Sequence, residues 1–337
     1  MQGNISRRDF MKIAGITTGA LVVGTGLFDG MIAAPHVDVQ GFFSTQRLNN
    51  GVLMPIFGFG AYSRVLSNDS YKNSEAIVEA INIGYRHIGV YKSEEDVGAG
   101  LLKSGIDRGE IFVSLQLEGK NITSADDFIE SFNQSLAKLK TNYVDLLCLF
   151  FPKEVDDKLL KQKLSIWQGM EELYKSGRVR ALGVTNLKYE LFNKFLSECE
   201  IRPVVNQLFL NPYMFDDRLV DDSYNRKMQV ATFIPFGFGD EIFTEPIVTK
   251  VAQKYNKTPA QVILRWNLQK GYTTLAGSAD VDTIKEYSDV FSFNLEARDL
   301  KAISRLKDVK KERDRIKARE EGKKKKDVKK ESYSKKQ

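Results

Sequence analysis

From residue 56 onward the chain alternates between two kinds of segment. Short apolar runs stand at Ile56–Phe59, Arg86–Val90, Ile111–Leu115, Val144–Phe150, Ala181–Val184, Val204–Gln207, Val230–Pro235 and Thr273–Ala276. Stretches with helical spacing of apolar residues lie between them: Ser74–Ile83, Glu94–Lys103, Ser124–Leu139, Lys163–Ser176, Lys188–Glu198, Asp217–Arg226, and Pro246–Tyr255 with Pro259–Gln269. Strand followed by helix, eight times over, predicts a parallel sheet joined by right-handed crossovers. The eightfold count over Gln46–Leu306 predicts an α/β fold closed as a (β/α)8 barrel. An open doubly wound sheet would need a glycine-rich phosphate loop after its first strand. Gly58-Phe59-Gly60 is not followed by the third glycine or by a convincing helix start.

Local punctuation agrees. Asn49-Asn50-Gly51 is a turn signal between Phe43–Arg47 and Val52–Pro55, so a small hairpin is expected ahead of the barrel. Ser104-Gly105 and Ser176-Gly177 place glycine where helices stop. Thr258-Pro259 places a cap residue before proline at the first helical position.

The 337 residues carry a net charge of +6, unevenly spread. Residues 307–337 hold a net +8 and the rest of the chain about −2. The basic balance therefore belongs to the tail and does not argue for nucleic-acid binding by the fold. Lys323-Lys324-Lys325-Lys326 and the scarcity of apolar residues around it predict either a solvated helix or a disordered segment. Contact with an anionic surface is the functional alternative to passive solubilisation.

Residues 1–34 read as an export signal. Ser6-Arg7-Arg8-Asp9-Phe10-Met11-Lys12 resembles the twin-arginine pattern, a short glycine-softened apolar run follows from Ile13 to Phe28, and Ala33-Ala34 offers small residues for cleavage. The expected location is extracytoplasmic. Three segments are thus expected: signal at 1–34, barrel at 43–306 and Lys-rich tail at 307–337. The two cysteines, Cys148 and Cys199, read as free thiols. His36 and His87, the two histidines, are dispersed and give no metal-site spacing.

Three stretches carry a resemblance: Gly84-Tyr85-Arg86-His87-Ile88-Gly89-Val90-Tyr91, Phe112-Val113-Ser114-Leu115-Gln116 and Tyr143-Val144-Asp145-Leu146-Leu147-Cys148-Leu149-Phe150-Phe151-Pro152. Together with Leu48–Pro55, Glu94–Gly98, Gly183-Val184-Thr185-Asn186, Val205-Asn206-Gln207 and Leu264-Arg265-Trp266, they resemble the aldo-keto reductases over most of the chain from Leu48. The resemblance implies a barrel enzyme in which a tyrosine protonates a carbonyl while NADPH gives a hydride. In that family a lysine favours the phenolate, an aspartate holds the lysine, and a histidine orients the carbonyl.

Here the matching positions hold Gly89 for the aspartate, Gln116 for the lysine and Phe150 for the histidine. Only the tyrosine is kept, as Tyr91, with three residues missing between it and Gly89. Tyr91 taken alone is also an ordinary rim aromatic, and His87 reads as structural. For the cofactor, NADP(H) or NAD(H) by resemblance, Thr185, Asn186 and Gln207 match the family's contacts to the nicotinamide amide. Phe233 stands where an aromatic stacks on that ring. At the phosphate end Thr274-Leu275-Ala276-Gly277-Ser278 stands where the family shows a proline, a lysine and a serine, and only Ser278 is kept; Thr283 replaces an arginine and Tyr287 an asparagine. Two lost charge-assisted contacts predict cofactor binding weaker by roughly 10²–10⁴-fold. The expectation is a small-molecule site at the barrel mouth, built from Tyr91, Gln116, Phe150, Phe151 and Phe233. The family's reduction is expected to be lost there; an oxidoreductase with altered mechanism, pairing Tyr91 with Gln116, is the alternative.

Overall fold

The computed structural model describes residues 41–62, 66–118, 122–237 and 240–316. Residues 1–34, expected from the sequence to be an export signal, and residues 317–337 of the tail lie outside them. Strands β1 (Thr45–Arg47) and β2 (Leu53–Pro55) pair antiparallel as the expected hairpin, turning at Gly51 with a φ of 87° that suits glycine. Eight strands then close a wholly parallel barrel: β3 (Phe57–Tyr62), β4 (His87–Tyr91), β5 (Phe112–Leu117), β6 (Leu146–Phe150), β7 (Leu182–Thr185), β8 (Val205–Leu208), β9 (Gln229–Thr232) and β10 (Thr273–Ala276). β10 pairs with both β3 and β9, which completes the ring. The run expected to stay extended to Pro235 leaves the sheet after Thr232, consistent with Pro235 having no N–H for a ladder.

Helices α1 (Ser70–Ile83), α2 (Glu94–Ser104), α3 (Ala125–Leu139), α4 (Asp157–Lys175), α5 (Tyr189–Ser197), α6 (Asp217–Asn225), α7 (Pro246–Tyr255), α8 (Pro259–Gln269), α9 (Val281–Ser288) and α10 (Ala297–Ser304) follow in chain order. Their starts obey the capping rules read from sequence. Thr258 and Gln261 form a reciprocal capping box with Pro259 in the first turn of α8. Gly105 ends α2 in the left-handed conformation.

Period-two alternation sorts each strand into lumen and outer faces. A Cβ on Gly58 would meet the His87 side chain, and one on Gly183 would meet Cys148 Sγ, so these positions all face inward. The hairpin closes the N-terminal end of the lumen with Leu48 and Met54, packed among Phe112, Leu146 and Ala181. His87 joins hairpin to barrel: Nδ1 donates to the Pro55 carbonyl at 3.1 Å and Nε2 accepts from Ser114 Oγ at 2.8 Å. Burial depresses its pKa to about 4, so the ring is neutral, as suits a structural role. Near the same end Asp145, its side chain 2% exposed, takes Arg108 Nη2 at 2.9 Å, Arg180 Nη1 at 2.6 Å and the Val113 N–H at 2.9 Å. Cys148 and Cys199 are both free thiols, one buried and one half-buried.

The first part of the tail is a helix, one of the two forms expected of it, but it docks on the barrel where a solvated one was expected. Residues 306–316 are helical. Lys307 pairs with Asp217, Lys310 with Glu241 at 2.9 Å, and Arg313 with Glu245 at 2.7 and 3.2 Å. The last pair outweighs the desolvation of Glu245, whose pKa is held low by Arg313 and Tyr213. Charge that cannot bury a core can still dock where a fold supplies acidic partners, and helix spacing sets Lys307, Lys310 and Arg313 on one face.

Candidate functional site

The C-terminal ends of the barrel strands surround a cavity of about 540 Å³. It gathers Tyr91, Gln116, Phe150, Phe233 and Ser278 of the sequence-predicted residues, together with Tyr62, Phe209, Phe236, Phe243, Leu275 and Tyr287. Phe151 is not among them. It is fully buried on the outer face of β6, edge-on to Phe195 at 5.1 Å, because neighbours in a strand point to opposite sides. The expected convergence of both Phe150 and Phe151 on the mouth is therefore corrected to Phe150 alone.

Gly89 is bare backbone because Tyr62 fills the space beside it. A Cβ at position 89 would stand 2.6 Å from Leu275 Cδ2 and 2.7 Å from the Tyr62 hydroxyl. The Tyr62 ring also lies against Gly60 and meets Phe233 edge-on, centroids 5.9 Å apart. Its hydroxyl has no hydrogen-bond partner. Burial raises its pKa, Cys148 adds to the rise, and the neighbouring Gln207 amide offsets it only in part, without completing a hydrogen bond. The sequence reading missed Tyr62, although the spacing Gly58, Gly60, Tyr62 put it on the lumen face as the first bulky residue.

Tyr91 does not pair with Gln116 as the altered-mechanism reading expected. Its hydroxyl donates to Glu118 Oε1, whose Oε2 lies 3.2 Å from Lys92 Nζ. Lys92 sits over the Tyr91 ring at 5.0 Å and has a φ of 55°, a left-handed conformation uncommon outside glycine. The shortened link after Gly89 thus brings a phenol, an ammonium and a carboxylate together at the rim from positions 91, 92 and 118. Burial first, then the Glu118 hydrogen bond, raise the Tyr91 pKa, opposite to what a carbonyl-protonating phenol near neutrality requires. Lys163 of α4 is buried, gives its Nζ to the Glu118 carbonyl, and has its pKa lowered by desolvation to about 8. Glu118 was legible as the residue two beyond Gln116 on one strand face. Gln116 is 4% exposed and its Oε1 has no partner.

The residues expected to hold the nicotinamide amide are engaged with the protein. Thr185 Oγ1 donates to Gln207 Oε1 at 2.9 Å, and Asn186 Nδ2 donates to the Phe151 carbonyl at 2.9 Å. None of the three lines the mouth cavity; Asn186, with a φ of 61°, opens on a neighbouring depression beside Lys153 and Lys188. At the phosphate end Ser278 Oγ accepts the Asp280 N–H at 3.0 Å. Asp280 caps α9, its carboxyl kept below the usual range by the Thr283 N–H and hydroxyl. A side chain at position 277 would collide with the Gly60 carbonyl, so no lysine fits there without a backbone shift. Tyr287 and Phe243 each pack against Phe236, with centroids 5.3 and 5.2 Å apart. Among the described residues that line the groove there is no cation for dinucleotide phosphates, and an anionic cap stands at its end.

The family model described as Aldo/keto reductase family matches residues 56–239. A glyoxal reductase of Bacillus subtilis is 34% identical over 265 residues, covering 78% of this chain and 92% of its own. A methylglyoxal reductase of Escherichia coli is 31% identical over 264 residues, covering 77% and 92%. Among solved structures, an aldo/keto reductase from Brucella melitensis superposes with a TM-score of 0.70 at 30% identity, covering 78% of this chain and 98% of that one. A Bombyx mori aldo-keto reductase in complex with NADP gives 0.69 at 29% identity, covering 80% and 93%. With ordered motifs, a closed eight-stranded barrel and relatives along most of its length, the chain belongs to the aldo/keto reductase family.

Proposed function

We propose that this protein holds a small uncharged ligand in its barrel mouth and does not carry out NADPH-dependent carbonyl reduction by the family's tyrosine–lysine chemistry. One observation carries the reading: every described residue lining the mouth cavity is uncharged, and half of them are aromatic. Such a lining suits a planar apolar ligand oriented by few polar groups. It offers little to a polyanionic dinucleotide. Titrating the full chain with NADPH and NADH in a thermal-shift assay tests this. Ligand at 100 times its dissociation constant adds about 2.7 kcal/mol, enough to move a domain of this size by several degrees. The expected result is no shift at millimolar cofactor.

A second reading keeps an oxidoreductase role with altered mechanism. Two things favour it: the names of the relatives and the rim grouping of Tyr91, Lys92 and Glu118. Under it NADPH shifts the melting temperature, and Tyr91→Phe abolishes NADPH-dependent turnover of methylglyoxal. Under the first reading there is no such turnover to lose.

A further inference from the structure

The rings at the mouth fall into two groups. Phe233 meets Phe209 at 4.5 Å and Tyr62 at 5.9 Å between centroids, and these rings share one apolar cluster with Leu275 at the strand ends. Phe236 meets Phe243 at 5.2 Å and Tyr287 at 5.3 Å. Phe236 follows the end of β9, Phe243 lies in the turn Asp240–Thr244 ahead of α7, and Tyr287 belongs to α9. This second group therefore comes from loop and helix elements outside the strands. Its three rings are half-buried, so part of each stays open. Both groups line the same cavity of about 540 Å³. The cavity also reaches Phe150 on β6 and Ala276 on β10, which are opposite strands of the ring of eight. It crosses the mouth and continues past β9 and β10 toward the helix layer.

We infer that the mouth takes an elongated ligand with two aromatic rings set end to end, one against Phe209 and Phe233 and the other against Phe236, Phe243 and Tyr287. The inference rests on the ligand-binding reading of the mouth and names the ligand class. A cavity of this volume suits a drug-sized ligand. A single ring fills one end and leaves the other aromatic group in water. Rings attract one another offset or edge-to-face, with centroids about 4.5–7 Å apart, so each group receives one ring of the ligand. A ligand whose two rings fold against each other presents the same atoms and meets one group only. The lining carries no charge, so the affinity comes from apolar area and ring geometry and should not fall with added salt.

The probes are trans- and cis-4-hydroxystilbene. They share one formula and one hydroxyl; the trans isomer sets its rings end to end and the cis isomer folds them together. Each is equilibrated by dialysis against the full-length protein in the dark, and the bound fraction is measured by absorbance. The expected result is about 10-fold tighter binding of the trans isomer, from the part of one ring that only this shape brings out of water. Phe209→Leu trims one aromatic group and Tyr287→Leu the other. Each should weaken the trans isomer by about 3-fold or more, whereas the cis isomer should respond to one of them at most. Equal affinities, or a preference for the cis isomer, overturn the inference and leave the mouth a site for a compact ligand. A trans isomer weakened by one variant alone also overturns it, since the ligand then sits at one end. Binding of neither isomer up to its solubility limit overturns both the inference and the reading beneath it. The ratio in the unmodified protein decides the matter even if a variant fails to fold.

Discussion

A side chain at position 89 has nowhere to go while Tyr62 keeps its place. Gly89→Ala sets a methyl against Leu275 and the Tyr62 hydroxyl, and overpacking of this kind costs about 1–3 kcal/mol. Gly89→Asp should cost more, since it adds a carboxylate in a buried lumen. Chemical denaturation of both variants checks this, with partial recovery expected when Tyr62 is also cut to alanine. Restoring the family's aspartate therefore requires two changes. His87 makes a pH prediction. Its pKa falls from 6.5 to about 4 on folding, so the unfolded chain binds the extra proton first as pH drops. Stability is intact above 6.5, declines between 6.5 and about 4, and by about 4 has lost roughly 3 kcal/mol from this group. His87→Gln should be less stable at neutral pH but should lack this part of the pH dependence, measured as denaturant midpoint against pH.

At the scale of elements, residues 306–316 matter most. Leu306 is buried and three cations of the following helix meet barrel acids, so a cut after 306 removes docked structure as well as tail. Such a cut should lower the melting temperature, while one after Ile316 should leave it unchanged. Arg313→Ala strands a Glu245 side chain that is 1% exposed. The arginine itself is half exposed, so screening moderates the loss, which is read as a lowered denaturation midpoint. The elements of the barrel were legible because period and punctuation act locally: the hairpin turn at Gly51, the caps at Thr258 and Gly105, and alternating apolar runs all appear where expected. The docked helix was not legible, because its partners Asp217, Glu241 and Glu245 are distant in sequence. A run of charge looks alike whether it faces water or an acidic surface.

For the whole molecule, the mouth and the tail can be tested apart. The expectation that the Lys-rich tail adheres to an acidic surface is now best tested with the chain ending at 316. That form keeps the docked helix and lacks Lys323–Lys326. Full-length protein should be retained longer than this form on anionic vesicles, and equal retention removes the idea. Thermal shift with NADPH on the same two forms should be flat if the uncharged lining governs the mouth.

The sequence alone determined the barrel and its family, and it set Gly89, Gln116 and Phe150 at the places where the resemblance implies an aspartate, a lysine and a histidine, because these depend on residue identity and on order along the chain. It also marked Tyr91, Gln116, Phe150, Phe233 and Ser278, which do share one cavity. Hydrogen-bond partnership was decided only in three dimensions. Strand register and lumen packing gave Tyr91 to Glu118, Gln207 to Thr185 and Asn186 to the Phe151 carbonyl, and left Gln116 Oε1 and the Tyr62 hydroxyl without partners. A hydrogen bond is made within about 3 Å and at a defined angle, and no spacing in a sequence fixes those for residues on different strands.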